Sequence, residues 1–374
     1  MILGVSAEQE ELRASVRRFL ADRAPMSRVR ELMDGGETDW AVWEQAGTQL
    51  GLQGLAIPES YGGAGFSFGE QAVVLEEFGA ALYGGPYLAS AVLAATALLA
   101  SPDEGARRGL LPDIASGQTV ATLAFTEDGG SWDPAAIRLS AVKDGPGVNG
   151  AWRLDGHKSF VLDGATAGLI LVAASTDAGL SLFAVEGDAA GLGRAALPAV
   201  DQTRQLARLE FAGVTGRLIG SPGDGAAALD RALDVAAIAL AAEQLGGAQR
   251  ALDMAVEYAK IRRQFDRPIG SFQAIKHRCA DLLLEVESLR SAVGYAAAAV
   301  AEDSAEIPVL ASLVKAYASE TYFHVAAENI QIHGGIGFTW EHDAHLYFKR
   351  AKASELFLGD GAYHRERLAN RIGL

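Results

Sequence analysis

The sequence is poor in cysteine, in basic charge and in long apolar runs. A single cysteine, Cys279, among 374 residues excludes an intramolecular disulfide and any zinc or iron–sulfur site built from several thiolates, and points to a reducing compartment. No metal site is expected. Lysine and arginine number 32 against 47 acidic residues, a formal charge of −15. Nucleic acid and anionic membranes, which recruit clustered cations, are therefore poor partners. The longest apolar run, residues 87–100, has 14 residues, short of the roughly 20 that a membrane span needs, so it reads as a buried core helix. The first 25 residues, MILGVSAEQEELRASVRRFLADRAP, lack the basic start and apolar stretch of a targeting segment, so a cytoplasmic location is expected. With 49% hydrophobic and 21% charged residues, the chain has the composition of a globular protein and not of a disordered one.

What the chain does contain falls into three zones. Residues 1–118 are helical in period, with turns marked at Gly35-Gly36, Pro58 to Gly65 and Gly84 to Pro86. Ser6 and Gln9 form a capping box for a first helix whose apolar face carries Leu12, Val16, Phe19 and Leu20. Residues 119–225 switch to short apolar runs (TVATLAFTE, IRLSAVK, FVL, LILVAAS, LSLFAVEG, ARLEFAGV) broken by clusters such as DGPGVNG and STDAG. That spacing predicts a β-barrel or sandwich. Residues 226–374 read as long helices at Ala226–Ile261, Gln273–Ala301 and Pro308–His333, with a fourth from about Leu346. Pro308 suits a first helical turn. Alternating βα units are missing, which argues against a doubly wound sheet or a (βα) barrel. The expected fold class is thus α+β and multidomain: an N-terminal all-α domain, a middle β-barrel or sandwich domain, and a C-terminal four-helix bundle.

Generic site patterns are weak. GSPGDGAAALD (220–230) is glycine-rich before a helix but has no lysine in the P-loop position, so a connector explains it. EHDAH (341–345) has two histidines and Glu341 near one another without the HExxH spacing, and a surface turn before a helix explains it. More informative are YAKIRRQFDRPIGSFQAIKHRCADLLLEVE (258–287) and ENIQIHGGIGFTWEHDAHLYFKRAK (328–352). The first sets two arginines, a glutamine and an aromatic between two helix ends. Forked donors beside a flat ring suit a pyrophosphate and an aromatic ligand. The second ends a helix at Gly334-Gly335, where the missing Cβ lets a backbone or a phosphate approach. A glycine C-cap with a solvated basic turn would account for the same residues.

Together with LGLQGLAIPESYGGAGFS (50–67), LAFTEDGGSWD (123–133), WRLDGHKSFVLDGATAG (152–168) and LEFAGV (209–214), these segments resemble the acyl-CoA dehydrogenase family, in order and over the whole chain. The resemblance implies FAD as cofactor and an acyl-CoA thioester as substrate. It also implies α,β-dehydrogenation and an electron-transfer acceptor protein. A homodimer, a homotetramer or a heterotetramer with a paralogous subunit would follow. By resemblance, Arg262, Gln264 and Phe265 match the element that meets the dinucleotide of a neighbouring subunit, and Gln273 matches the glutamine after the turn. Gln331, Gly334 and Gly335 match the pyrophosphate segment. Phe125 and Thr126 match contacts to the flavin ring, and Phe160 an aromatic position against it. In the family a carboxylate removes the α-proton while the thioester carbonyl is polarised, and the flavin carries the redox chemistry.

The proton-abstracting half departs from that pattern. Counted from Gly334-Gly335 without gaps, the usual catalytic glutamate falls on Leu358, and the nearest carboxylate is Asp360, which becomes the candidate base. The alternative base position on the long helix is Ala236, next to Ala237. Glu243 lies seven residues further on, where a buried structural role is expected. Leu162 replaces a threonine that usually bonds the flavin, and Ser131-Trp132-Asp133 replaces a Gly-Ser-Asp. Three expectations follow: a dehydrogenase with a relocated base, a base-less FAD-binding subunit of a heteromeric acyl-CoA dehydrogenase, or other flavin chemistry (oxidase or hydroxylase) on the same fold.

Overall fold

The computed structural model describes residues 6–35, 38–144 and 151–374. The turn expected at Gly36 and most of the glycine-rich break at 144–150 lie outside the described residues. The first helices are α1 (Ala7–Arg23), α2 (Met26–Gly35), α3 (Trp40–Leu50) and α4 (Phe68–Ala80). A helix that is π-helical at Leu88–Ala94 continues as α5 (Ala95–Ala100), followed by α6 (Glu104–Ala115). Strands come next: β1 (Ala121–Ala124), β2 (Ser140–Lys143), β3 (Trp152–Leu162), β4 (Leu169–Thr176), β5 (Gly179–Glu186), β6 (Leu192–Leu197) and β7 (Leu206–Ile219). The remainder is helical, with α7 (Gly225–Ile261), α8 (Gln273–Ala301), α9 (Ile307–His333), α10 (Ala344–Leu356) and α11 (Gly361–Ile372), apart from a hairpin of β8 (Arg263–Gln264) and β9 (Arg267–Pro268). The chain divides into two compact units, Met1–Gly35 with Phe68–Tyr83 and Ala237–Leu374, and Gly36–Ser67 with Gly84–Ala236.

In the first unit, α1 opens on the expected capping box. The Gln9 N–H donates to Ser6 Oγ at 3.2 Å and the Ser6 N–H donates to Gln9 Oε1 at 3.1 Å. Val16, Phe19 and Leu20 are buried. Helix α4 crosses α7 at glycines: a Cβ on Gly79 would stand 1.9 Å from the Glu243 carbonyl oxygen, and one on Gly246 would stand 1.7 Å from that of Glu76. Gly247 admits the Tyr322 ring of α9 in the same way, at 2.4 Å. Around this crossing Arg13 pairs with Glu76 at 2.9 Å and Arg17 with Glu77 at 2.7 Å. The single helix expected from Leu346 is two helices. Leu358 (φ 63°) and Gly359 (φ 100°) are both left-handed and end α10. Asp360 then starts α11, its side chain accepting from the Tyr363 N–H at 2.8 Å.

In the second unit the strands close on themselves. Strand β4 runs parallel to β1 and, at Ser175, to β2, and antiparallel to β5. The circuit continues from β5 to β7, from β7 to β3 and from β3 back to β2. This is a small barrel, and closure removes its free edges. Strand β6 pairs outside the circuit with β7. Its residues, Leu-Gly-Arg-Ala-Ala-Leu, are all exposed or half-buried, an edge without the buried apolar run that marked the other strands. The 87–100 run is a buried helix as expected, entered through a π-helical turn, and its Ser90 Oγ accepts from the Ala121 N–H at the start of β1, at 3.0 Å.

Candidate functional site

In the first unit, the two informative motifs meet. Buried Ile332 near the end of α9 packs with Ala255 and Ala259 of α7, and Ile269, Ile275 and Cys279 close the cluster. Tyr258 stacks on His333 with ring centroids 4.3 Å apart, and Arg278 of α8 pairs with Glu328 of α9 at 2.9 Å. From this base the β8–β9 hairpin projects. Its two turn residues, Phe265 (φ 53°) and Asp266 (φ 62°), are both left-handed, as a two-residue hairpin with strand-matching twist requires. That conformation is strained for phenylalanine. The Phe265 ring is 86% exposed and stands edge-on to Phe272, over which Arg267 lies at 4.0 Å.

Arg262, Gln264, Gln273 and Gln331 are exposed, and their side chains make no hydrogen bond or ion pair among the described residues. A Cβ on Gly334 or Gly335 would meet nothing within 4 Å. Idle forked donors grouped with a bare, left-handed backbone at Gly334 (φ 64°) form the donor set that a dinucleotide pyrophosphate requires. The residues present therefore fit FAD.

In the second unit the candidate flavin contacts follow β1. Phe125 and Thr126 are buried. The Phe125 carbonyl accepts from Lys158 Nζ at 3.0 Å, and the Thr126 carbonyl accepts from the Ser159 N–H at 2.9 Å. Lys158 is fully enclosed on β3 and also donates to Glu127 Oε1 at 2.9 Å. Burial pushes this ammonium down to about 8, opposed by Glu127. Glu127 in turn accepts from the main chain of Arg138 and Leu139, at 2.8 and 2.7 Å. Phe160 sits at a β-bulge between Lys158 and Val161, with φ 57°. The bulge takes it out of the ladder and leaves its ring partly exposed. Leu162 and Trp132 flank this region. Leu162 is buried, with its carbonyl bonded by Thr122 Oγ1 at 2.5 Å, and Trp132 tilts against Phe125 at 5.9 Å.

Three family models match the chain in succession: "Acyl-CoA dehydrogenase, N-terminal domain" over residues 6–118, the corresponding middle domain over 122–214 and the C-terminal domain over 223–373. The chain belongs to the acyl-CoA dehydrogenase family. It is 36% identical over 354 residues to acyl-CoA dehydrogenase IpdE2 of Mycobacterium tuberculosis, 94% of this chain and 93% of that protein. Its fold is similar to that in the ChsE4-ChsE5 complex from Mycobacterium tuberculosis, with TM-score 0.90 and 31% identity over 100% of this chain and 99% of that one. It is similar as well to butyryl-CoA dehydrogenase from Megasphaera elsdenii, with TM-score 0.93 and 25% identity over the full length of both. As a member of the acyl-CoA dehydrogenase family, the chain is an FAD-dependent oxidoreductase acting on the CH–CH group of an acyl-CoA. Helix α7 and those after it form the family's C-terminal helical bundle. No helix among the described residues is long and apolar enough to cross a membrane.

The candidate base, Asp360, lies between α10 and α11. Leu358 is buried, and its carbonyl is bonded to His364 Nε2 at 2.9 Å. Lys315 Nζ, fully buried on α9, donates to Ser319 Oγ (2.9 Å) and to the carbonyls of Glu355 (3.1 Å) and Gly359 (3.0 Å). Asp360 is exposed and caps α11. Glu243 is buried, bonded to equally buried Arg350 at 2.7 Å, and Ala236 and Ala237 are buried apolar positions on α7.

Sequence reasoning did not single out Lys315, Arg350 or His364. The one available signal was a lysine inside the apolar run IPVLASLVKAYAS. The EHDAH stretch is the expected turn before a helix, with Glu341 exposed, but its histidines face inward. His342 lies 4.3 Å from His333, and His345 is buried at the start of α10. Among the described residues no three metal-ligating side chains group into a site. A cavity of about 520 Å³ in the first unit, lined in part by Arg17, Glu77, Arg250, Asp253 and Tyr347, includes none of the candidate site residues.

Proposed function

We propose that Arg262, Gln264, Phe265, Gln273, Gln331, Gly334 and Gly335 hold the dinucleotide part of FAD, the first three meeting that of a neighbouring subunit, that Phe125, Thr126 and Phe160 contact a flavin ring, and that Asp360 takes the α-proton of the acyl-CoA. The observation that carries the FAD assignment is the set of idle donors on exposed side chains beside the open backbone of Gly334-Gly335. When bound, FAD supplies the two-electron acceptor for the hydrogen leaving Cβ. The chain's own residues neutralise and orient the dinucleotide, and Lys158 fixes the main chain that carries Phe125 and Glu127. Asp360 is the carboxylate of the 357–361 loop, and the proton lost from Cα goes to its free oxygen. Lys315 and His364 hold the carbonyls that set the shape of that loop. An electron-transfer protein is the proposed acceptor, and a homo- or hetero-oligomer the proposed assembly.

A second reading is favoured by buried Leu358 and by the engagement of Asp360 as a helix cap. In it, this chain is the base-less member of two unlike subunits and lends its FAD-binding residues to a catalytic partner. One experiment separates the two. The chain purified alone should be yellow and should lose its visible flavin absorbance with some member of an acyl-CoA panel, turning over with an artificial acceptor. Asp360→Asn keeps the helix cap and should lower turnover by at least about a hundredfold, the usual contribution of a general base. Unchanged turnover would remove Asp360 from the mechanism. Colourless protein that gains FAD only when co-expressed with a paralogous subunit would support the second reading. Oxygen consumption with a substrate lacking CoA would point to oxidase chemistry instead.

A further inference from the structure

Helix α9 ends on a histidine whose ring joins three segments. His333 is buried, and because its Nδ1 faces the Asn329 carbonyl at 2.8 Å, Nδ1 carries the proton. Nε2 is then a lone pair, without a hydrogen-bond partner among the described residues. The ring stacks on Tyr258 of α7 at 4.3 Å and lies against His342 at 4.3 Å. His342 sits on the segment returning from the short helical turn Gly334–Phe338. The same turn folds against the histidine: a Cβ on Gly337 would stand 3.0 Å from His333 Cβ and 3.2 Å from the Ile330 carbonyl oxygen. One ring therefore fixes both the start of the turn and the segment that leaves it. His342 has the opposite arrangement, its Nδ1 accepting from the Ala344 N–H at 3.1 Å, which requires that nitrogen to be unprotonated. Both rings are neutral as packed.

We propose that His333 is a positioning residue for the cofactor turn: its neutral ring, locked between Tyr258 and His342, sets Gly334 and Gly335 for the phosphates of FAD, and its protonation unlocks the turn and releases the cofactor. This rests on the assignment of Gln331, Gly334 and Gly335 to FAD. Two imidazoles 4.3 Å apart cannot both be charged cheaply in a buried site. Burial holds His333 below the ordinary histidine range, with His342 adding to the effect and the Asn329 bond opposing it. Burial lowers His342 and His345 as well. The other charged or titratable groups around the cluster come from four elements. From α7 there is Tyr258, and from α2 there is Arg30, tied to Asp343 and to the Trp340 carbonyl, both at 2.7 Å. From α10 come His345 and Lys349, the latter over Trp340 at 4.2 Å. From α8 come Cys279 and Arg278, which pairs with Glu328 of α9. Asp343, the acid that acts on His342, is bonded to Arg30, and among the described residues no acid acts on His333.

The sign follows from linkage. With the turn closed on FAD, His333 binds a proton less readily than when the turn is open. Affinity is therefore full above the ordinary value of about 6.5 and falls as pH drops below it, approaching tenfold per pH unit for one proton taken up on release. The test is a fluorescence measurement of FAD affinity on the whole chain, or on its co-expressed complex, from about pH 8 to about pH 5.5. His333→Phe keeps a stacking ring that cannot titrate. It is expected to bind within about threefold of wild type at the upper pH and to lose most of the acid slope. His333→Tyr serves as a second non-titrating ring if the first variant does not fold. An unaltered slope in both variants, or wild-type affinity that tightens on acidification, would overturn the proposal. Arg262→Ala and Gly335→Val keep its failure distinct from that of the FAD assignment. If neither weakens FAD at neutral pH, the assignment fails; if they weaken it while the acid slope survives in His333→Phe, only the role of His333 fails.

Discussion

Arg350 and Glu243 bring two opposite charges into the interior of the helical unit, bonded at 2.7 Å. Taking two ions out of water costs more than their attraction returns unless both stay paired, and removing one leaves the other charge buried without its ion-pair partner at 2.7 Å. Glu243→Gln and Arg350→Met should each lower unfolding free energy by about 3–5 kcal/mol in denaturant titrations, and the double variant by clearly less than the sum. Equal and additive small losses would mean that the pair is solvated in practice. The burial of Glu243 could be anticipated, because it lies in an Ala- and Gly-rich helix. Its partner could not, since Arg350 is 107 residues away in a segment with no apolar period of its own.

His364 makes the second residue-scale case. It is fully buried, its Nε2 bonded to the Leu358 carbonyl while Nδ1 has no partner among the described residues, and burial with nearby Lys315 pushes it down to about 3. Unfolded, it would protonate near 6.5, so the unfolded state binds more protons between those values and stability falls as pH drops through them. His364→Gln should flatten that acid limb in unfolding experiments at graded pH. A limb identical to wild type would assign acid sensitivity elsewhere.

At the scale of elements, the α4–α7 crossing depends on two glycines whose Cβ would land inside a neighbouring main chain. Gly79→Ala or Gly246→Ala must push the helices apart, with a loss of at least about 1–3 kcal/mol from overpacking, measurable by thermal or denaturant unfolding. A neutral Gly246→Ala would contradict the crossing geometry. The Gly246-Gly247 pair was visible in the sequence as a close-packing signal; its partner Gly79 was not. Long helices were legible because period and capping residues agree, as at Ser6 and Gln9. The α10–α11 break was not, because it depends on left-handed backbone at a leucine, a residue type that gives no warning of it. Strand β6 was silent for a different reason. It is a half-exposed edge strand held by β7, and cross-strand pairing leaves little trace in a single sequence. The flavin-side candidates were legible as motifs. The joining of the 258–287 and 328–352 motifs through the Ile332 cluster and the inward-facing histidines of EHDAH were not, since both are tertiary contacts.

Across the whole molecule, a charge of −15 is set against two polyanionic ligands, FAD and CoA. Their binding must rest on local cations such as Arg262, Arg263 and Arg267, not on a global field, and should weaken only modestly with salt compared with a protein whose whole surface is basic. Many carboxylates are present, yet Leu358, where an ungapped count from Gly334-Gly335 would set the family's base, is buried. The central claim, that this is an FAD-dependent acyl-CoA dehydrogenase, is tested most directly by anaerobic mixing of the FAD-loaded chain, alone and with a co-expressed paralogous subunit, with a panel of acyl-CoAs. Loss of the flavin's visible absorbance with one equivalent of enoyl-CoA formed per flavin is the predicted result. A flavin that stays fully oxidised with every acyl-CoA in both preparations would contradict it.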